Sequence, residues 1–206
     1  MRKITIFLIL IITGCSKNDC SNNEKIRKIE TDKIVETLLQ QKYFENSKDS
    51  YTVCCSLKKL QINTESIYAE PTKKIEIVKL PPRLPRILEN TEIYIEKLLN
   101  ANSKGKKLFQ IKDSINFVEQ NNCFLKHKLS QNISKKLKTI SVSKIEKASN
   151  YIILSIPIFS EDNQKAYIEI DCYPKKDQYG VSVYLEKKDN IWKIKDIKSN
   201  WSQCSG

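Results

Sequence analysis

Histidine is nearly missing from this chain, one residue in 206, and glycine is scarce, at four. A single histidine, His127, excludes the two-histidine helix of the metalloproteases, and no GxSxG, Walker loop or dinucleotide fingerprint is present. So few glycines leave little material for a backbone loop that cradles phosphate. His127 lies in Lys126-His127-Lys128, where two cations disfavour its protonation and spoil a metal site, so it reads as a surface residue. No CxxC spacing or paired histidine supports zinc, and neither metal nor cofactor is expected. Long hydrophobic runs are missing too: the longest, Ile4 to Ile12, is well short of the roughly 20 residues of a membrane helix.

That short run belongs to something else. It follows the cations Arg2 and Lys3 and precedes Ile12-Thr13-Gly14-Cys15, which gives residues 1–14 the layout of a signal peptide. The tetrad resembles a bacterial lipobox, with Ile12 in place of the commoner Leu. The resemblance implies cleavage between Gly14 and Cys15, a diacylglyceryl group on the Cys15 thiol, and a further acyl chain, typically palmitate, on the new amino terminus. One acyl chain holds a protein marginally on a bilayer, whereas two or three hold it firmly. The expected address is therefore a membrane surface reached by lipid anchor, on the periplasmic or extracellular face of the cell envelope. Ser16, where Asp would favour retention on the inner membrane, leans toward the outer membrane. Residues 15–30 read as the lipidated cysteine and a flexible tether, because the stretch from Ser16 to Glu24 has no apolar side chain beyond Cys20.

Positive charge dominates what remains. The chain has 36 Lys+Arg against 24 Asp+Glu, a formal +12 that falls by two when the leader is removed. A basic surface serves nucleic-acid binding, but an envelope location excludes that partner. The candidates left are lipid head groups, an anionic envelope polymer or an envelope protein. Beyond Cys15 there are six cysteines, Cys20, Cys54, Cys55, Cys123, Cys172 and Cys204, enough for up to three disulfides in an oxidising compartment. Cys54 and Cys55 are adjacent, so on a strand they face opposite sides and either take different partners or stay free.

Residues 31–206 read as one α+β domain. Ile34, Val35, Leu38, Leu39 and Tyr43 recur at helical spacing over 31–46, with Thr31 or Asp32 as N-cap. Residues 50–57 favour a strand that continues toward Ile62, and 75–78 another. Three prolines at 81, 82 and 85 make 80–85 a connector. A helix is expected from a cap at Asn90 or Thr91 through Leu99, ended by residues 102–106. A second is expected from Asp113, burying Ile115, Phe117, Val118 and Phe124. Residues 129–147 carry weak signals, with a strand around 139–145.

The last third is plainer. Apolar residues alternate through Ile152, Leu154, Ile156 and Ile158, through Ala166, Ile168, Ile170 and Cys172, and through Val181, Val183 and Leu185, with a fourth run at Ile191 to Ile197. Turn chemistry separates them at 161–163, 175–180 and 188–190. The expected architecture is α+β, with N-terminal and central helices packed on a C-terminal four-stranded antiparallel meander. One face of that sheet is apolar and takes the helices, and the other, with Tyr167, Glu169, Asp171, Tyr173, Ser182, Tyr184 and Glu186, faces solvent. Residues 154–162, 165–168 and 184–194 also resemble a pattern of uncharacterised exported bacterial lipoproteins, over roughly 107–203. More loosely, the hairpins resemble those of cystatin-like and NTF2-like folds, a likeness of architecture that implies no activity. At 173–178 the chain has Tyr-Pro-Lys-Lys-Asp-Gln where that lipoprotein pattern has glycines and cysteines, so no role carries over to this loop.

For catalysis, Glu169 and Asp171 share a strand face with Glu186 nearby, the raw material of a two-carboxylate hydrolase. Such a row is more commonly a solvated sheet face. The aromatics Tyr151, Tyr167, Tyr173, Tyr184, Trp192 and Trp201 serve either a binding surface or cross-strand packing, and packing is favoured. The sequence thus points to a non-enzymatic binding or interaction module on a lipid tether. The alternatives are an envelope hydrolase, or a small-ligand carrier with its pocket under the sheet.

Overall fold

The longest strands carry the alternation that is plainest in the sequence, and the rest of the chain is built on them. A computed structural model describes residues 20–40, 51–64, 91–124, 126–174 and 178–203. In chain order its elements are α1 (Cys20–Leu39), β1 (Thr52–Cys54), β2 (Leu60–Asn63), β3 (Thr91–Tyr94), α2 (Ile95–Leu99), β4 (Asn102–Ser103), β5 (Lys106–Lys107), α3 (Asp113–Cys123), α4 (Gln131–Lys136), β6 (Thr139–Ile140), a 3-10 helix at Val142–Lys147, β7 (Tyr151–Leu154), β8 (Ile158–Phe159), β9 (Lys165–Tyr173), β10 (Gln178–Lys188) and β11 (Ile191–Gln203). The leader, Cys15, the connector at 80–85 and the strand expected at 75–78 lie outside the described residues, as does the expected end of the first helix beyond Gln40.

The α+β architecture with its antiparallel C-terminal strands is present. Strands order as β11-β10-β9-β7-β1-β6. Neighbours from β7 to β11 run antiparallel, with Val183 opposite both Ile168 and Ile197, and Ile152 opposite Cys172. The first expected strand is broken in two: β7 pairs the end of β9, β8 pairs its beginning, and Pro157, which has no N–H to donate, sits in the break. The sheet also extends past the meander, because β1 joins β7 and β6 joins β1, both parallel. β1 is the strand expected over 50–57, shortened to Thr52–Cys54; all three of its residues are buried, so no alternation marks which face is interior. The β10–β11 turn uses Asp189 and Asn190 at φ 52° and 60°, and the β4–β5 turn uses Lys104 and Gly105 at 51° and 77°. Both are the mirror-image turns that match strand twist.

Both faces of the sheet are covered, which corrects the expected solvent face. On one side Ile34, Val35 and Leu38 of α1 and Ile133 of α4 pack on Ile152, Ile168, Ile170 and Val183. On the other side Leu60, Ile62, Ile93, Leu98, Phe109 and Phe117 lie on Tyr167 and Tyr184. This second layer comes from β2, β3, α2 and α3, whose pairing is long-range and leaves no local periodic signal. It also explains the lost start of the expected helix at 90–99: residues 91–94 form β3, parallel to β2 with Ile93 buried, and only Ile95–Leu99 is helical.

The helices differ from expectation in what they bury. α3 begins at Asp113 as anticipated and buries Phe117, but Ile115 is 71% exposed and the buried face is Asp113, Asn116 and Gln120. These polar side chains serve backbone. Gln120 donates to and accepts from Phe159, Asn116 donates to the same carbonyl, and Asp113 accepts from Glu161 N–H, so α3 completes the edge of β8. α1 starts at Cys20, and Thr31 is not its cap but an interior residue whose hydroxyl donates to the Arg27 carbonyl at 2.7 Å. The half expected as flexible tether, 20–30, is helix, with inward side chains held from the fold: Arg27 Nη2 donates to Asn116 at 2.7 Å, and Glu30 accepts from Trp192 at 2.8 Å with Lys187 at 2.9 Å.

A disulfide joins the first residue of α1 to the last of α3, Cys20 to Cys123, across 103 residues. Closing a loop of that length removes entropy from the unfolded chain worth about 4.7 kcal/mol in the chain-entropy picture. The pair Cys20→Ser/Cys123→Ser is therefore expected to fold but to melt roughly 5–15 °C lower. Differential scanning calorimetry of the oxidised protein checks this, and an unchanged midpoint would show that the bridge adds nothing.

Candidate functional site

The carboxylates singled out by sequence end up inside the protein. Alternation along β9 sends Tyr167, Glu169 and Asp171 toward the second layer, where Glu169 and Asp171 are 6% and 7% exposed. Lys58 meets them there. It is delivered by a one-residue parallel bridge, in which Lys58 N–H donates to Leu154 and Ile156 N–H donates to Lys58. Its ammonium bonds Asp171 directly and stands 3.6 Å from Glu169. Glu169 also accepts from the Tyr167 hydroxyl at 2.6 Å and is approached by Lys97 at 3.4 Å. Trp201 Nε1 donates to Asp171 at 3.1 Å, and the Tyr167 hydroxyl lies 2.8 Å from Ser182. Burial, and then the charge of Glu169, push the Tyr167 phenol far above the usual tyrosine range, so it stays a donor. Gly180 opposite Asp171 is required by packing: a Cβ there would fall 2.1 Å from the Trp201 indole nitrogen.

Every strong contact of these carboxylates is thus internal. Their arrangement neutralises charge within the fold, with both carboxylates buried against Lys58. Glu186 does not join them. The register puts Ser182 opposite Glu169 and Glu186 opposite Lys165, and Glu186 is held by Lys195 at 2.6 Å, a hydrogen bond that lowers its pKa. The aromatics mostly pack: Tyr151 stacks on Tyr173 at 4.8 Å, and Tyr167 meets Tyr184 edge-on at 5.1 Å. The seam between β8 and α3 holds a cavity of about 20 Å³, room for about one water.

His127 is buried, contrary to its reading as a surface residue. Residues 127–129 run antiparallel beside 55–57, with Leu57 N–H donating to His127 and Leu129 N–H donating to Cys55. Lys126 and Lys128 consequently point out while His127 and Leu129 point in. Alternation across those four residues was the available signal, hidden by the two lysines. His127 Nε2 lies 3.2 Å from Asp32, and burial lowers the imidazole pKa despite that partner. Of the cysteines, Cys20 and Cys123 are paired, whereas Cys54, Cys55 and Cys172 are free thiols, and Cys204 lies outside the described residues. Cys54 packs with Ile153 on one side of the sheet and Cys172 with the opposite cluster, so they cannot meet. Burial raises both thiols, Cys172 to about 11. Among the described residues no group of three or more His, Cys, Asp or Glu side chains is placed to hold a metal, and no helix is long and apolar enough to cross a membrane.

Among the described residues, two open clefts stand out that the sequence does not announce. One, of about 830 Å³, lies between α1, the segment after β1 and residues 126–130. The other, of about 710 Å³, separates the β4–β5 hairpin from β10 and β11. Lys104, Lys106 and Lys107 line it from the hairpin and Lys165, Lys188 and Lys195 from the sheet, against one carboxylate, Glu186, which Lys195 already occupies. The hairpin is fixed in place by Ser103 donating to the Lys195 carbonyl and Lys198 donating to that of Asn102. In sequence these lysines are scattered over more than eighty positions, and only the fold gathers them. No protein-family description, no curated protein and no solved structure matches this chain.

Two outcomes follow. Lys58→Met leaves buried Asp171 without its cation and Glu169 with Lys97 alone, and is expected to cost about 3–5 kcal/mol in urea unfolding. Adding Glu169→Gln and Asp171→Asn should recover at least half of that loss; a Lys58→Met protein as stable as the parent would remove the cluster from any structural role. For His127 the folded pKa lies below the unfolded value of about 6.5. Its contribution is therefore complete above about pH 6.5 and lost as the pH falls through that value toward the lower folded pKa. Urea midpoints measured from pH 8 to 5 should fall in the parent and fall less in His127→Gln.

Proposed function

We propose that this protein is a lipoprotein of the bacterial cell envelope, anchored through acyl chains on Cys15, that works by binding rather than catalysis. Its ligand on this reading is an anionic envelope polymer, an acidic polysaccharide in the first instance. The observation that carries the reading is the cleft at the β4–β5 hairpin, with six lysines to one already paired glutamate. Like charges gathered on rigid elements cost the fold self-repulsion, and a polyanion removes that cost while releasing its own counterions. The cleft is open to solvent between the β4–β5 hairpin and the β10–β11 pair, so a polymer can lie in it without being enclosed. The anchor agrees with this: the leader and Cys15 supply the address, and the Cys20–Cys123 bridge, five residues beyond Cys15, passes any pull on the tether straight into the sheet-bound helices. The internal neutralisation of Glu169 and Asp171 supports binding over hydrolysis.

The test uses the full chain in non-ionic detergent with dextran sulfate as probe. Binding is expected to weaken steeply with salt, and Lys106→Gln/Lys107→Gln/Lys165→Gln to reduce affinity at least tenfold and flatten the salt dependence. An affinity unchanged in that variant would overturn the cleft assignment. In cells, Cys15→Ser should leave the leader uncleaved or release the protein from membranes, and normal processing with normal retention would overturn the anchor independently of the cleft.

A further inference from the structure

A lysine amine and two carboxylates held together away from water can do more than neutralise one another. Lys58, Glu169 and Asp171 are 6%, 6% and 7% exposed. The Lys58 ammonium bonds Oδ2 of Asp171, and Glu169 Oε2 stands 3.6 Å from the same nitrogen. Oδ1 of Asp171 accepts from Trp201 Nε1 at 3.1 Å, and Gly180 leaves the indole the space to lie there. Glu169 is held in turn by the Tyr167 hydroxyl at 2.6 Å and by Lys97 at 3.4 Å. The backbones are fixed as well. Asp171 lies between Ile153 of β7 and Gly180 of β10, and Lys58 is bonded through both its N–H and its carbonyl to the segment Leu154 to Ile156. A nucleophile, a carboxyl carbon, a second carboxylate and an N–H donor on the carboxyl oxygen therefore meet on rigid elements.

We infer that Lys58 and Asp171 condense to an intramolecular isopeptide bond, with Glu169 as the proton carrier. Within the pair a proton passes from the ammonium to Oδ2, leaving an amine and a carboxylic acid. The Nζ lone pair then adds to Cγ, and the displaced carbonyl electrons go to Oδ1, where the Trp201 N–H stabilises the oxyanion. Glu169 takes the surplus proton from the nitrogen and gives it to the Oδ2 hydroxyl, which leaves as water while the carbonyl re-forms. One N–C bond forms, one C–O bond breaks, nothing is oxidised or reduced, and Glu169 ends as the carboxylate it began as. Burial supplies the drive. In water the charged pair is favoured over its amide, whereas here two desolvated charges become one neutral group. The bond joins residues 113 apart in the chain and locks the segment between β1 and β2 to β9, so it constrains the unfolded chain as the disulfide does. It stands apart from both the anchor and the hairpin cleft.

Peptide mapping by mass spectrometry of the full chain, purified in non-ionic detergent, tests it. Cys54, Cys55 and Cys172 lie in the same tryptic peptides as the reacting residues, so the protein is reduced, alkylated and denatured before digestion, and a disulfide cannot then join them. The expected product is residues 49–59 joined to residues 166–175, at the sum of the two masses less one water, with fragment ions placing the link between Lys58 and Asp171. Complete recovery of the two peptides unlinked from the folded protein would overturn the inference, and so would a link that maps to Glu169. Lys58→Arg keeps the cation but offers no amine to Cγ; a link that persists in this variant would assign the bond to neighbouring Lys59 and overturn the assignment to Lys58. Glu169→Gln, close to the carboxylate in shape, should slow the appearance of the link roughly tenfold or more in protein harvested at intervals after synthesis. Linking at the parent rate in that variant would overturn the role given to Glu169.

Discussion

The salt bridge from Lys58 to Asp171 and Glu169 is the contact on which the arrangement of this fold turns. A sheet whose strands alternate apolar and polar residues normally leaves the polar face to water, and desolvating carboxylates there is expensive. Here the polar face is covered, so its charges must be answered from within. Lys58 does this and in doing so fixes the segment between β1 and β2 against β9. That placement starts β2 in the second layer, and β2 in turn provides the edge for β3, beyond which α2 follows directly. The apolar contribution of that layer, Ile93, Leu98, Phe109 and Phe117 against the rings of Tyr167 and Tyr184, offsets the desolvation. The Tyr167 hydroxyl bonds Glu169 of the ionic cluster while its ring packs in this layer, so one side chain satisfies both environments.

How much of this was legible depends on whether a residue's environment is set by its neighbours in sequence or by distant ones. The meander was legible because Ile168, Ile170 and Cys172, or Val181, Val183 and Leu185, repeat the strand period, and because Asp189-Asn190 accepts the backbone its turn demands. The second layer was not, since β3 is four residues whose pairing partner is β2, and a short apolar run after a capping residue looks the same whether it becomes helix or strand. α3 was legible at its start and in the buried Phe117 and Phe124, but Ile115 and Val118 are exposed and polar residues take their place. Asn116 and Gln120 turn inward beside Phe117 because their work is to bond the backbone of Phe159, and hydrophobicity carries no trace of that role.

The same distinction separates the site expected from the sites found. Glu169 and Asp171 share a face of one strand, a local relation, and so were visible; that Lys58 lies between them was not. The two lysines beside His127 suggest a surface residue, whereas the strand-like alternation they belong to turns the imidazole inward. The lysines of the hairpin cleft are far apart in a chain rich in lysine, and composition could say only that positive charge was plentiful. Position is what converts that surplus into a surface feature, through a two-residue turn at Lys104-Gly105 and hydrogen bonds that hold β4 to β11.

The disulfide ties these features to the question of orientation. Five residues span at most about 18 Å, so an acyl group on Cys15 would hold the Cys20 end of α1 within that distance of a bilayer surface. Without the bridge the first turns of α1, whose inward groups are polar, could fray under such a tether. With it, the end of α3 is brought to the same place and the two helices act as one support. From there the chain leaves Cys123 and reaches Lys126, His127 and Lys128 within a few residues, beside α1. The cleft at His127 is therefore built from the two segments that the bridge holds together, and its shape depends on a covalent constraint as much as on packing. A protein reduced at that bond should lose the register between α1 and residues 126–130 before it loses the sheet, because the strands of the meander are held by their own ladders and by the core beneath α1.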